Sequence, residues 1–443
     1  MLLGLSILFA TIIYLAWFFV KSLSGRYKNG YNISNDHISL SNIKYTIEQH
    51  HDILNILDII KNNNDSKFQT YIIWLSGAIA CVEKENLIIL SVRNHNGNII
   101  STSCIQIFDI DLSELYASKR IQIFLKWLEW LHIIPSFWHF QLGVIWIPPF
   151  YQFSGTYYHV NVNENESNEI IDSIQKYVFQ IRSKVAVIIE INEAGHKNKN
   201  IIINNNRQYI LPWFKITKGI FPSNIDSLDT YINLLCRSAR KRNLRKYKKQ
   251  FEAGGGKIRY LFSSEVDFDE IQMRMKELTL LKLETDTRHQ LNKHICKHEF
   301  GHEWMSSMVL TNKSLNNNKI IFIFAEQHSS ESLLGFLLLF IHSPTNQVIV
   351  KAIGIHDNSH TRQLRTYQNL CLSAIDWSLL NGYNVIDFGA GHEETKALLI
   401  EKQIRLYDDE QTRATIKAIL RSQNLFHIFI INQIKNGINP KKK

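Results

Sequence analysis

Between Leu333 and Leu399 the chain reads strand, strand, helix, strand, glycine turn, helix, a succession that fits an α/β sheet and little else. Thr366 to Leu380 is apolar on most sides, with Tyr367, Leu370, Cys371, Ala374, Ile375, Trp377 and Leu380, so the pattern predicts a helix buried between other elements. Asn381-Gly382 supplies residue types that tolerate positive φ and should end it. Tyr383 to Phe388 is short and β-prone, and its end, Asp387-Phe388, meets two closely spaced glycines. Sheets of this class put their chemistry at the carboxyl end of a strand, where backbone and side chains open into a crevice.

A chain of 443 residues exceeds one ordinary core, which points to two domains or more. A formal net charge of +10 favours an anionic partner: a membrane surface, a nucleic acid or a phosphate-bearing cofactor. Five scattered cysteines without a CxxC pair argue against a disulfide scaffold or a thiolate zinc site, and for reducing surroundings. Leu2 to Val20 carries no charge and is rich in Leu, Ile and Phe, close to the roughly 20 residues that a membrane-crossing helix needs. Met1 leads directly into it with no basic region, so an uncleaved anchor is the expectation over a signal peptide. Lys21, Arg26 and Lys28 then place the body on the cytoplasmic side.

The expected organisation is an anchor over 1–21, a tether over 22–36, a first α/β domain over 37–218, a second over 219–435 and a basic tail over 436–443. Leu87 to Val92 and Ile99 to Phe108 read as a strand pair around Asn94-His-Asn-Gly97. Ile121 to Ile134 is an aromatic-heavy core or interfacial helix, and Ile53 to Lys61 an amphipathic stretch. Glu169 to Ser183 is an amphipathic helix, followed by the interior strand Lys184 to Ile191 and the strand Tyr209 to Ile216. Asp226 to Gln250 reads as one long helix ended by Gly254-Gly-Gly256, with helices over Phe268 to Glu284 and His294 to Val309 after it. Strands follow at Ile320 to Glu326, Ser332 to His342 and Gln347 to Ile355; Arg405 to Tyr407 adds a strand and Ala414 to Lys435 an apolar helix.

Four motifs bear on chemistry. His298-Glu-Phe-Gly-His302 matches a zinc-protease pattern, in which two histidines share a helix face and the glutamate activates a metal-bound water. Gly301 in mid-helix, the charge of Glu303 and the lack of a signposted third ligand leave zinc hydrolysis as a minor alternative, and no metal is expected. Gly254-Gly-Gly-Lys257 lacks both the preceding glycine and the following hydroxyl of a phosphate-binding P-loop. The basic helix 237–249 spreads its cations over more than one face, with Leu244 and Tyr247 as a thin seam; it is a solvated helix or a contact for anionic lipid or RNA. In Asp387-Phe-Gly-Ala-Gly-His-Glu-Glu-Thr-Lys396, Gly389 and Gly391 permit a tight turn and Glu393 and Glu394 suit the positive end of a helix. A carboxylate there can accept a proton from an attacking amine and Lys396 can hold an anionic group, whereas paired glutamates repel a phosphate.

The basic helix closing with Glu252-Ala-Gly-Gly-Gly256, the strand Leu333 to Phe340, the helix and turn Ser373 to Gly382, and Ile386-Asp-Phe-Gly-Ala-Gly391 with Lys396 resemble the GNAT superfamily of acyltransferases. The branch they resemble is the Fem-aminoacyltransferase-like group, which includes cellulose-biosynthesis-type acetyltransferases. The resemblance covers about Asp226 to Arg405. It implies tandem GNAT-like domains behind the N-terminal helix, and transfer of an acyl or aminoacyl group from a thioester or aminoacyl ester to an amine or hydroxyl. Taken with the reading of the residues, the expected proton acceptors are Asp387 and Glu393, the expected substrate contacts His392, Lys396, Gly389 and Gly391, and Arg362 and Arg365 are expected to hold the donor's phosphates. The glycine loop that cradles coenzyme A in ordinary members should precede Thr366, where this chain reads His360-Thr-Arg-Gln-Leu-Arg365. Acyl-CoA therefore shares the donor role with an acyl carrier protein or an aminoacyl-tRNA. A non-catalytic module of the same fold, binding anionic lipid or RNA, is the alternative.

Overall fold

A computed structural model describes residues 45–50, 66–111, 139–147, 155–192, 208–212, 216–265, 267–288, 302–315, 319–328, 332–342, 346–390, 393–401, 405–406 and 415–420. Met1–Thr46 forms a separate unit, of which only Tyr45 and Thr46 are described, and Ile47–Lys443 is one compact unit. The expected anchor, tether, basic tail and the stretches 53–61 and 121–134 lie outside the described residues. Among the described residues no helix is long and apolar enough to cross a membrane.

In chain order the elements are β1 (Tyr45–His50), α1 (Ser66–Cys81), β2 (Leu87–Asn94), β3 (Ile99–Asp111), β4 (His139–Ile145), β5 (Thr156–Tyr158), α2 (Glu164–Ile181), β6 (Val185–Asn192), β7 (Gln208–Pro212) and β8 (Ile216–Ile220). Then come α3 (Leu228–Leu234), α4 (Ser238–Ala253), β9 (Gly256–Phe262), α5 (Phe268–Arg288), α6 (His302–Ser314), β10 (Ile320–Gln327), β11 (Leu333–His342) and β12 (Gln347–Ile355). The chain continues with α7 (Ser359–Gln363), α8 (Thr366–Leu380), β13 (Val385–Ala390), α9 (Glu393–Leu399), β14 (Arg405–Leu406) and β15 (Thr415–Leu420).

The strands make two mixed sheets with one layout. The first runs β1-β2-β3-β4-β6-β15-β7, with β5 beside β3, and the second runs β9-β10-β11-β12-β13-β8-β14. In each, antiparallel neighbours lead to one parallel pair, β4 with β6 and β12 with β13, joined across the sheet by α2 or α8. The sheets also exchange strands: β15, from late in the chain, lies between β6 and β7, while β8 pairs with β13.

That exchange corrects two expectations. Tyr209 to Ile216 is not one strand but the joint between β7 and β8, which serve different sheets. Thr415–Leu420 is a strand rather than the start of an apolar helix, because both its edges find a ladder, with β6 on one side and β7 on the other. A third correction concerns the helix expected over Asp226 to Gln250, which is two helices. Arg237, with φ −62 and ψ 152, is extended between α3 and α4, and its N–H is taken by the buried Glu401 Oε1 at 3.2 Å. The helix expected from His294 begins, among the described residues, at His302.

Strands β10 to β12 are apolar at nearly every position because both sheet faces are covered. Phe322, Phe324, Phe336 and Phe340 face a core shared with α1, α5 and α6, where Phe68, Trp74, Trp304 and Met308 are buried. Ile321, Ile323, Leu337 and Leu339 face the other way, into a core under α3, α4 and α8. Helices α1 and α6, each placed ahead of the second strand of its sheet, cross at small residues. Ser307 Oγ donates to Ser76 O at 3.0 Å and Ser76 Oγ to Ser307 O at 3.4 Å, and Gly77 lies against the Trp304 indole.

Candidate functional site

The two parallel pairs differ at their carboxyl ends. In the first sheet, β4 and β6 stay in register from Leu142 opposite Val187 to Ile145 opposite Glu190. In the second, β12 and β13 pair only at Val348 with Ile386 and Ile349 with Asp387, although both strands continue. Each strand carries an irregularity just past the last pair. On β12 the register with β11 jumps from Val350 to Ala352, leaving Lys351 as the extra residue of a bulge. On β13 the register with β8 jumps from Asp387 to Ala390, and Gly389 has φ +67, which a side chain would strain. Past the twin bulges no further pair joins the two strands among the described residues, and the gap between their unpaired ends beyond Asp387 is the candidate cleft.

Asp387 stands at the last paired position. Its Oδ1 accepts the Gly389 N–H at 2.6 Å, and it is buried opposite Lys218 on β8. Burial pushes its carboxyl above the ordinary value, with Lys218, the Gly389 N–H, Lys396 and Lys351 pulling the other way. Lys396, from α9, is buried too, and its Nζ donates to Phe388 O at 2.6 Å and Gly389 O at 3.0 Å. The bulge is therefore held by a carboxylate on its N–H and an ammonium on its carbonyls. Lys396, read in the sequence as a substrate contact, binds the chain's own backbone. Glu393 opens α9, and Gly391 and His392 lie outside the described residues.

The other rim is the end of β12. His356 N–H reaches back to Leu334 O on β11, so by strand alternation the backbone of Ile355 faces the cleft. There Thr285 Oγ1 of α5 accepts the Ile355 N–H at 2.9 Å and lies 3.3 Å from Ile355 O. Glu284 Oε1 accepts the Asp357 N–H at 2.6 Å. Neither residue stands out in the sequence, since α5 reads as an ordinary surface helix; nor do Lys218 and Lys351, which only the sheet register brings to Asp387.

Arg362 pairs with Asp357, and Arg365 precedes α8 in the left-handed region, with φ +55. That conformation costs a non-glycine residue about 1 kcal/mol or more and is characteristic of functional positions. The Arg365 guanidinium lies 5.7 Å from the Tyr247 ring centroid, and Asn369 Nδ2 donates to Tyr247 O at 3.2 Å and Arg365 O at 3.0 Å, which ties α4 to the start of α8. Both arginine side chains are exposed at that helix start. A cavity of about 240 Å³ between α4 and α9 is lined by Arg237, Arg240, Asn243, Tyr247 and Leu398. Of the zinc motif, His302 opens α6 while His298 and Glu299 lie outside the described residues, and no metal-ligand cluster occurs among the described residues.

No family model and no curated protein matches the sequence. Among solved structures, the chain is similar to L-PGS from Bacillus licheniformis, at 9% identity over 87% of this chain and 96% of that one, with a TM-score of 0.44. It is similar to FemX, at 10% identity over 86% and 99%, with a TM-score of 0.44. A tandem GNAT protein from the clavulanic acid biosynthesis pathway aligns at 8% identity over 86% and 99%, with a TM-score of 0.40. Two of these bear the names of the superfamily and the branch that the motifs resemble. At such scores the likeness carries no chemistry, which is read from the residues of this chain.

Proposed function

We propose that the chain is an acyltransferase of tandem GNAT-like architecture whose reaction centre is the cleft between β12 and β13. The observation that carries the reading is the parting of this parallel pair directly beyond Asp387, against a first sheet whose matching pair stays closed. The acceptor's nitrogen or oxygen attacks the acyl carbon, that carbon's bond to the donor's sulfur or oxygen breaks, and the acceptor's proton passes to Asp387. A buried carboxyl with a raised pKa suits that role, since it holds a proton nearer to neutral pH than a solvated one. Arg365 and the start of α8 offer positive charge to the phosphates of the donor, an acyl thioester such as acyl-CoA or acyl carrier protein, or an aminoacyl-tRNA, and Arg362 joins them when it exchanges its Asp357 partner for a phosphate. Glu393 and the glycine turn beside it contribute to the acceptor side, and the Leu2–Val20 run anchors the protein to a membrane with its body in the cytoplasm.

Asp387→Asn tests the assignment, because the amide oxygen keeps the Gly389 N–H while the proton acceptor is lost. With labelled acyl-CoA, acyl carrier protein and aminoacyl-tRNA offered in turn, we expect turnover to fall by about a hundredfold or more. Unchanged turnover would remove Asp387 from the mechanism. The non-catalytic module is the second reading, favoured by Thr285 and Lys396 filling the two rims of the cleft; absence of transfer with all three donors would select it.

A further inference from the structure

The helix α4 turns Leu244 and Phe251 into the core and a row of cations outward. Ser238, Lys241, Arg242, Arg245, Lys246, Lys249, Gln250 and Ala253 recur at helical spacing, so they share one face and line an open trough of about 740 Å³. Five of the eight are cations, and among the described residues none of the five has a carboxylate partner. Lys241 Nζ and Arg245 Nη2 donate to the neutral backbone oxygen and side-chain amide oxygen of Asn233, both at 2.6 Å. Those bonds aim two of the cations without neutralising them. The single acidic residue of the helix, Glu252, is not part of the trough, and Arg240, which Glu401 neutralises at 3.1 Å, faces away from it. Like charges at i, i+3 and i, i+4 on one helix face repel modestly, a repulsion that a bound polyanion would relieve.

From this we infer that the α4 trough is a docking surface for the sugar-phosphate backbone of a nucleic acid, engaged without regard to base sequence. Two features select that occupant. The charges run in a line along one helix, as do those of a phosphodiester chain. The hydrophobic seam of α4, Leu244 and Phe251, is spent on the core, and among the residues that line the trough the apolar side chain is the small Ala253, which offers little for insertion among lipids. A phosphate contact of this kind fixes position and carries affinity but reads no bases. The surface lies outside the cleft, so the inference stands whether or not the chain transfers acyl groups.

The test uses the full chain, a fluorescent duplex DNA of arbitrary sequence and its RNA counterpart, with anisotropy read between 50 and 200 mM salt. If all five cations engage phosphates, the logarithm of the affinity for the DNA should fall against the logarithm of salt with a slope of about −4.5, five contacts at about −0.9 each. Changing Lys241, Arg242, Arg245, Lys246 and Lys249 together to Gln keeps helix propensity and the buried seam, and its fold is checked by circular dichroism and Tm. This variant should bind more than tenfold more weakly at 100 mM salt, with a slope near zero. A variant matched in charge, with the exposed Lys84, Lys176, Lys184, Lys257 and Lys276 changed to Gln, should bind like the wild type. The inference is overturned if the wild type binds neither probe, if the matched variant loses as much affinity as the α4 variant, or if the α4 variant binds unchanged. It is also overturned if the α4 cations instead govern binding to phosphatidylserine-containing vesicles while both nucleic acids are ignored.

Discussion

The strap on the β13 bulge makes a quantitative prediction that also separates two roles for Lys396. In Lys396→Met a side chain of similar length and greater apolarity takes the same path, and the bonds to Phe388 O at 2.6 Å and Gly389 O at 3.0 Å are lost. A hydrogen bond from a charged donor contributes about 1.5–3 kcal/mol, and two carbonyls would be left in a buried site. The two bonds share one ammonium, and Met avoids the cost of desolvating it, so the effects do not simply add. The expected loss is about 2–4 kcal/mol, read as a lower urea midpoint with an unchanged m-value. Neutralising Asp387 in the same background should couple to it by about 0.5–3 kcal/mol, since both groups hold one bulge. Lys276→Met, on the exposed face of α5, should stay within about 0.5 kcal/mol and serves as the control. A loss under about 1 kcal/mol for Lys396→Met would refute the strap, and would return Lys396 to the role that the sequence suggests, an ammonium available to a substrate.

How much of this was legible before the fold depended on how local each cause is. Thr366–Leu380 has the boundaries that the sequence gives it, because its stop is written beside it in Asn381-Gly382, and Gly382 takes φ +78. Gln347–Ile355 is likewise marked by its own β-branched run. The break between α3 and α4 has no glycine or proline to announce it; its cause is Glu401, 164 residues away, which takes the N–H of Arg237. Thr415–Leu420 has an apolar run that serves helix or strand equally well, and the choice is made by β6 and β7. The site follows the same division. Asp387, Gly389 and Lys396 stand out because a glycine turn gathers them within one short stretch. That the Lys396 ammonium lies on the carbonyls of Phe388 and Gly389, and that Lys218, Lys351 and Thr285 complete the surroundings, follows from strand pairing and helix packing that no local pattern encodes. The seam of the basic helix runs past 249, because Phe251, whose ring lies against Gly256, is buried in the same core as Leu244.

Two further outcomes follow from the packing and the buried charges. In Gly77→Val the first added carbon would lie 2.7 Å from Met308 Cγ and 2.8 Å from Trp304 Cδ1, so α1 and α6 must separate; a loss of about 1–3 kcal/mol or more is expected by urea denaturation, and an unchanged midpoint would mean that the crossing is looser than its geometry. The last outcome concerns pH and the pair of opposed groups near Lys218. Burial, with Lys218 and Lys319 adding to it, pushes the His342 imidazole, stacked 5.1 Å from Trp74, down to about 3, while an unfolded histidine titrates near 6.5. The unfolded chain therefore binds the extra proton between those values, and the stability due to neutral His342 is lost as pH falls below about 6.5, at about 1.4 kcal/mol per pH unit. Asp387 works in the opposite sense, because its folded pKa is raised: its contribution is complete below the unfolded value of 3.8 and is lost as pH rises through the folded one. Stability measured across pH 4 to 7 should thus fall less steeply on acidification in His342→Gln than in the wild type, and more steeply in Asp387→Asn. Parallel curves for the histidine variant and the wild type would show that the imidazole is solvated enough to take its proton in the folded protein.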